Sequence, residues 1–237
     1  IYDLSLNTNL ISYPFEGSAD LSETIPESTQ ESIDAILGEG VAAINYNNQW
    51  QGGLTQLSGT EGYWFITNSD VSFSFIPPTN GLVRKASIIK DLPKEYAFDQ
   101  TTQQAFYFVE SAIINGMSIE EEDIIIAYNG DVVVGARYWY GNITDIPVMG
   151  MDINGKNKHY CKSGDNVEFK VFDASKNQMI PMDVIGALPW NNLDISIISL
   201  TERSIPSAVI LGQAYPNPFN PITKLNFSVP SITDVEI

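Results

Sequence analysis

The feature that most constrains the fold is a series of short apolar strands separated by turn residues in the second half of the chain. The stretch "DIIIAYNGDVVVGARYWYG" contains two such strands around Asn129-Gly130, which is a strong hairpin signal. Another strand ends at a turn formed by Asn115-Gly116, and a further strand pair turns near residues 173–177. No amphipathic pattern of helical length interrupts them. Short strands at this spacing predict an antiparallel β-sandwich domain over residues 96–200.

Residues 1–78 predict a small α+β domain of short strands with one helix. The helix is indicated by Thr24 and Glu27, which fit a capping box, and by apolar residues that share one helical face after it. Those apolar residues are Ile33, Ile36 and Leu37. Further along, Asn47 and Asn48 predict the turn of a hairpin.

The remaining segments predict linkers and terminal strands. The stretch from Pro77 to Glu95 contains Pro-Pro, Asn-Gly and four of the twelve basic residues, and it predicts a linker over residues 79–95. Residues 201–237 predict a second linker followed by strands at Lys224–Val229 and Asp234–Ile237. The first of these strands alternates apolar and polar side chains, so one of its faces needs a partner sheet. The predicted fold class is therefore mainly β.

Charge and cysteine content disfavour several classes of function. The chain has 12 Lys and Arg residues against 29 Asp and Glu, and its net charge of -17 disfavours binding to nucleic acid or anionic membrane surfaces. Such a chain is suited to stay soluble after secretion or to attract divalent cations. Its single cysteine, Cys161, cannot form an internal disulfide. No apolar run reaches the roughly 18 residues that a membrane-spanning helix needs, so no membrane insertion is predicted.

A proline-rich motif near the C-terminus carries a resemblance to a known family. The stretch "LGQAYPNPFNPITKLNFSVPSITDVEI" (Leu211 to Ile237) resembles the opening of the C-terminal sorting domains of the type IX (Por) secretion system, which are Ig-like. The resemblance implies export by the type IX machinery to the outer surface of a Gram-negative bacterium, or release from it. A rigid interdomain linker without a sorting role is the alternative. The motif residues are Tyr215, Pro216, Asn217, Pro218, Phe219, Asn220 and Pro221.

Each proline in this motif fixes φ and removes a hydrogen-bond donor, which predicts a stiff spacer between a domain and the following sheet. A complete sorting domain is a whole small sandwich, whereas this chain contains only its first two strands. The family's next strand commonly begins with residues like "IYDL", which are also residues 1–4 here. Those residues lack the basic region of a signal peptide, so we expect a mature or trimmed start.

The match to "IYDL" leaves two interpretations, of which coincidence is favoured. In the other, strands at the C-terminus of one molecule pair with strands of the next. The candidates for such strand exchange are Ile1, Tyr2, Leu4, Leu225, Phe227, Val229, Val235 and Ile237.

A second resemblance covers Asn9 to Phe65. The stretches "NLISYPF", "WQGGLTQL" and "GTEGYWFI" are similar to a module of exported bacterial proteins in which "NLIS-P" precedes "GKGYW". Thr60-Glu61 departs from the commoner residues of that module. The family usually has no assigned activity, so the resemblance supports the compartment more than a function.

No catalytic residue is predicted. His159 is the only histidine, and strand alternation would place it on the same face as Cys161, but no known nucleophile motif surrounds them. The acidic residues that could form a catalytic pair are more simply a solvated acidic turn and its neighbours. They are Glu110, Glu120, Glu121, Glu122, Asp123 and Asp131.

Two candidate ligand sites remain. Asp152 and Asn154 lie in "MDINGKN", where alternate oxygen ligands could hold calcium, although Lys156 occupies a ligand position and an Asn-Gly turn is the favoured interpretation. No other cofactor is predicted. The triplet Tyr138, Trp139 and Tyr140 could stack on sugar rings, as could Trp64, with core packing as the default for the tryptophans.

These observations favour a secreted, non-catalytic structural or adhesive protein of the cell surface. Its expected partner is itself, in a filament or matrix assembled by exchange of terminal strands. The alternative is a carbohydrate-binding module of an exported multidomain protein, with an extracellular glycan as partner.

Overall fold

The structure is a computed structural model that describes residues 1–78, 89–152, 154–155, 157–203, 209–215, 218 and 222–230. Strands account for 48% of the described residues and helices for 5%, so the protein is mainly β, and its sheets are curled. The chain divides into two compact units, Ile1–Glu202 and Arg203–Ile237. No helix in the described ranges is both long and apolar enough to cross a bilayer.

The N-terminal part of the first unit is built from short strands. Among its described residues, a sheet has the order β2-β8-β4-β5-β6, while β1 pairs with β9 and β3 with β7. The strands are β1 (Tyr2–Leu4), β2 (Asn7–Ser12), β3 (Ser18–Asp20), β4 (Ile33–Leu37), β5 (Ala42–Tyr46), β6 (Gln49–Gly52), β7 (Gln56–Ser58), β8 (Gly62–Thr67) and β9 (Val71–Phe73). The helices are single turns, α1 (Leu21–Thr24) and α2 (Glu27–Gln30).

The helix predicted through Ile33, Ile36 and Leu37 is wrong, because these residues form β4. This strand lies between β5 and β8, and its side chains enter hydrophobic clusters on both faces of the sheet. A strand covered on both faces loses the polar alternation that marks a strand, and a short apolar run of this kind mimics a helical face. Thr24, the expected capping residue, instead donates its hydroxyl to the carbonyl oxygen of Ile76 at 3.0 Å.

The rest of the first unit forms one curled sheet. Its described strands have the order β11-β10-β17-β16-β15-β12-β13, and β14 also pairs with β10. They are β10 (Gln104–Ile114), β11 (Met117–Ser118), β12 (Ile124–Asn129), β13 (Val132–Tyr138), β14 (Thr144–Met149), β15 (Glu168–Asp173), β16 (Gln178–Ile185) and β17 (Ile195–Glu202). The expectation of purely antiparallel strands is wrong for β10 and β17, which lie parallel. These two strands are far apart in the chain, so no hairpin turn dictates their relative direction.

The predicted hairpin turns are confirmed. Asn47 and Asn48 join β5 to β6 with left-handed φ angles of 53° and 60°. Asn115-Gly116 joins β10 to β11, and Gly130 joins β12 to β13 with a φ of 60°. Residues with short polar side chains or no side chain tolerate this backbone region, which is why these turns could be located from the sequence.

The curl of the large sheet brings β13 against β14 at a glycine. A Cβ atom added to Gly135 would lie 1.8 Å from the carbonyl oxygen of Pro147. The two backbones therefore approach more closely than any side chain at this position would allow.

The two parts of the first unit share a hydrophobic cluster. Side chains from β4 and β5 pack in it against side chains from β10, so residues predicted as separate domains meet in one core. The buried members are Ala35, Leu37, Ala42, Ile44, Phe106, Phe108 and Ile143.

The second unit contains a small hairpin. Strands β18 (Ile210–Leu211) and β19 (Phe227–Ser228) pair antiparallel, and Tyr215 exchanges two backbone hydrogen bonds with Lys224, at 3.0 and 2.9 Å. The proline motif lies in the sequence between these paired segments. The stiff spacer predicted for this motif stays a prediction, because most of the motif lies outside the described residues.

Several residues with predicted roles lie outside the described part of this unit. Of the motif, the residues at 216, 217, 219, 220 and 221 lie outside the described part of the chain, as does the predicted strand Asp234–Ile237 with its exchange candidates Val235 and Ile237.

Candidate functional site

In the aromatic triplet that could contact glycans, Trp139 is buried, whereas Tyr138 and Tyr140 are half-buried. Trp139 is only 5% exposed and packs in the core of the curled sheet, as the favoured interpretation predicts, so the alternative role as a sugar platform is wrong for this residue. The hydroxyl of Tyr140 donates to Asp145 at 2.5 Å. The ammonium group of Lys90 lies 5.3 Å from the centre of the Tyr138 ring.

Asp152 and Asn154, the candidate calcium ligands, lie in a turn, which was the favoured interpretation of their sequence. Oδ1 of Asp152 accepts hydrogen bonds from the backbone N–H and the hydroxyl of Thr102, both at 3.1 Å, and its carbonyl accepts from Gly155 at 2.9 Å. Asn154 is exposed. Within the described residues, no three His, Cys, Asp or Glu side chains are grouped to hold a metal ion. Lys156 lies outside that part of the chain.

His159 and Cys161 do not share a face, contrary to expectation. Residues 157–160 form a turn instead of a strand, so His159 is exposed while Cys161 is 1% exposed and packs in the core. Burial raises the pKa of the Cys161 thiol to about 12. The thiolate, which is the nucleophilic form, is therefore scarce at neutral pH.

We expect the Cys161 thiol to be inert in the folded protein. At pH 8, its reaction with an aromatic disulfide reagent should be roughly 100-fold slower in the native chain than in guanidinium, because attack needs both exposure and ionisation. The release of the coloured thiolate measures both rates. Similar rates in the two solvents would contradict the buried position of this side chain.

The N-terminal candidates for strand exchange are already paired within their own chain. In the pairing of β1 with β9, Tyr2 lies opposite Phe73 and Leu4 opposite Val71. Leu4 is buried, and the Tyr2 and Phe73 rings stack with their centres 6.0 Å apart. Exchange through Tyr2 and Leu4 would have to replace this pairing or add a strand to the other edge of β1, and it stays a prediction. Ile1 precedes the strand and is exposed.

The side chains of the described C-terminal candidates for strand exchange are partly exposed to solvent. Phe227 is 45% exposed, whereas Leu225 and Val229 are half-buried. Other large apolar side chains of the second unit are also exposed, and we call this set the C-terminal apolar surface. It comprises Val209, Leu211, Tyr215, Ile222 and Phe227.

A buried ion pair is the main polar cluster that was not predicted. Nη2 of Arg137 lies 3.2 Å from Oδ2 of Asp145, and their side chains are 7% and 0% exposed. The Asp145 carboxylate also accepts hydrogen bonds from the backbone N–H groups of Ala42, at 2.8 Å, and Gly53, at 3.0 Å. Burial raises the pKa of Asp145, while Arg137 and the hydroxyl of Tyr140 act in the opposite direction.

This cluster joins the two parts of the first unit. Arg137 also donates to the carbonyl oxygen of Gly40 at 2.7 Å. Nearby, the side-chain amide of Gln104 donates to the carbonyl of Gly38 at 2.8 Å and accepts from the N–H of Gly40 at 3.1 Å. Because the donors and acceptors are directed at the protein itself, the cluster acts as a structural clamp and not as a reactive site. A charged residue inside the apolar strand "VVVGARY" is the signal by which Arg137 could have been noticed.

A polar groove of about 510 Å³ lies beside this clamp, and we call it the Trp64 groove. Its wall combines the half-buried Trp64 with the carboxylates of Glu39 and Asp152 and with Gln100. Gln100 donates to the side-chain oxygen of Gln104 at 3.0 Å. Much of its polar lining is thus already engaged in hydrogen bonds within the protein.

No family model, no curated protein and no solved structure matches this chain, so its function has to be argued from the residues themselves.

Proposed function

We propose that this chain is a non-catalytic structural or adhesive module of an exported protein, which acts at the outer surface of a Gram-negative bacterium and associates with copies of itself. The observation that carries the proposal is the C-terminal apolar surface. Five large apolar side chains are exposed in the second unit, around a ladder of two residues per strand. A two-stranded hairpin is marginal in water on its own, so such a surface needs a further sheet to cover it.

The backbone of the same hairpin supports association by strand addition. Among the described residues, β18 and β19 each have one partner strand, so each leaves an outer edge unpaired. Open edges of this kind accept a strand from another molecule, with backbone hydrogen bonds providing affinity and alternate side chains entering pockets. Contacts that repeat head to tail would build a filament or matrix, whereas a two-fold contact would stop at a dimer.

The first unit supports a non-catalytic role. Its strongest polar cluster, between Arg137 and Asp145, is sealed in the core, and Cys161 is buried with a raised pKa. Export is supported by the resemblance of the proline motif to type IX sorting domains. The same resemblance implies that the type IX secretion machinery is a transient partner.

Replacing Leu211 with Asp should weaken self-association by roughly tenfold or more, because a charge would enter the apolar contact. Sedimentation velocity across a concentration series would measure the change in the association constant. Met117→Asp is a matched control, since Met117 is 69% exposed and Leu211 67%, but Met117 lies in the first unit. A wild-type chain that stays monomeric at all concentrations, or equal effects of the two substitutions, would refute the proposed contact.

A further inference from the structure

The large sheet exposes apolar side chains on the outer face of β16 and β17. Ile185 is 65% exposed and Ile197 40%, and Leu188, in the loop between these strands, is 58% exposed. Ile185 lies opposite Ser199, so Ile185 and Ile197 are diagonal neighbours on one face of the sheet. The backbone N–H of Leu188 donates to the hydroxyl of Ser196, next to Ile197, at 3.4 Å. We call the three apolar residues the β16–β17 patch.

The patch continues a face of the sheet that already packs against another part of the chain. In the parallel ladder of β10 with β17, Ile197 lies beside Phe108, which is buried in the cluster shared by the two parts of the first unit. Ile195, two residues before Ile197, packs against the same cluster. Side chains from β4 and β5 therefore cover this face at β10, whereas the patch on β16 and β17 is exposed. An apolar sheet face that extends beyond its cover is suited to receive a second one.

The charge distribution of the chain limits what can cover the patch. Residues 203–237 contain two basic residues, Arg203 and Lys224, and two acidic residues, Asp234 and Glu236, so their net charge is zero. Residues 1–202 therefore carry the whole net charge of -17. Two first units that face each other would repel, whereas the second unit of one copy can approach the first unit of another without this repulsion.

Individual charges favour the same pairing. Asp183, two residues before Ile185, is exposed on the same face of β16. Opposite Ile185, the hydroxyl of Ser199 donates to the carboxylate of Glu110 at 2.8 Å, so two carboxylates flank the patch. The second unit has the exposed Lys224 on the segment that leads into β19, and its described residues include no Asp or Glu. Two C-terminal apolar surfaces in contact would thus offer this cation no described carboxylate, whereas the β16–β17 patch does.

We propose that the C-terminal apolar surface of one copy docks on the β16–β17 patch of the next copy. This inference rests on the proposed self-association and names its receiving surface. Leu211 and Phe227 pack against the patch, and Lys224 faces the carboxylates beside it. Because the two surfaces in contact are different and each copy has one of each, the contact repeats head to tail. The assembly is therefore an open filament or a ring, instead of a two-fold dimer.

Mixing two variants tests this pairing of unlike surfaces. Ile185→Asp alters the receiving surface and Leu211→Asp the docking surface, and each variant alone should associate roughly tenfold more weakly than the wild type. Each variant retains the surface that the other has lost, so an equimolar mixture should form a heterodimer that cannot extend. Sedimentation velocity of the separate and mixed variants measures both effects. Met117→Asp is the control and should assemble as the wild type does.

Leu188→Asp is a second variant of the receiving surface, and it decides the question if Ile185→Asp does not fold. The inference is overturned if both variants assemble as the wild type does, a result that would leave the proposed self-association intact. It is also overturned if the mixture of Ile185→Asp with Leu211→Asp forms no heterodimer. A wild type that stays monomeric, as expected if its own chain or an unrelated protein covers the patch, would refute self-association and this inference together.

Discussion

Replacing Asp145 with Ala is expected to lower the free energy of unfolding by about 3–5 kcal/mol. The variant would leave the Arg137 guanidinium charged and buried, with one acceptor removed. It would also deprive the N–H groups of Ala42 and Gly53 of the carboxylate that accepts from them. Breaking one side of a buried ion pair is costly because the remaining charge has no compensation. Urea unfolding followed by circular dichroism would measure the change.

Two further variants make this test specific. Glu122→Ala removes the exposed ion pair between Glu122 and Lys90, in which the Glu122 side chain is 75% exposed and the Lys90 side chain 48%. It should lower the free energy of unfolding by less than about 1 kcal/mol. The double variant Arg137→Met/Asp145→Ala should recover part of the loss, because no uncompensated charge remains. If Asp145→Ala costs no more than Glu122→Ala, the ion pair does not clamp the two parts of the unit together.

Replacing Gly135 with Ala should destabilise the protein by about 3 kcal/mol, at the upper end of the usual range for overpacking. The new Cβ would lie 1.8 Å from the carbonyl oxygen of Pro147, and this obstacle is backbone that cannot rotate away. The strands β13 and β14 would have to separate. Thermal unfolding of the purified variant would measure the loss, together with its near-ultraviolet circular dichroism as a report on core packing.

Gly62→Ala is the matched control for this prediction, since it also places a methyl group on a strand. Its Cβ would meet the Leu10 side chain at 3.6 Å, which is ordinary van der Waals contact. We expect a change of less than about 1 kcal/mol, because the substitution also reduces the entropy of the unfolded chain. Equal losses for Gly135→Ala and Gly62→Ala would contradict the close approach of β13 to β14.

The turn residues are sufficient to locate the hairpins, whereas the apolar pattern of β4 predicts the wrong kind of secondary structure. The turns at Asn47-Asn48, Asn115-Gly116 and Asn129-Gly130 were located because their residues favour left-handed backbone on their own. The run containing Ile36 predicts a helix, because burial on both faces of the sheet removes the alternation that would identify a strand.

The candidate sites were less accessible to sequence reasoning than the fold was. Trp139 and Trp64 are both tryptophans next to polar residues, and only burial separates them, with Trp139 in the core and Trp64 in the wall of a groove. No local sequence pattern indicates that Asp145 forms a buried ion pair, since the backbone N–H groups that it accepts from, at Ala42 and Gly53, are about 100 residues away in the chain.

The sequence by itself determined that this protein is mainly β and where several of its tight hairpins turn, because strand pattern and turn chemistry depend on residues a few positions apart. Only the tertiary structure decided that β10 and β17 run parallel, that Arg137 and Asp145 join the two parts of the first unit, and that the outer face of β16 and β17 exposes Ile185 and Ile197. These features depend on contacts between distant segments, and their energies come from burial, which no local pattern encodes.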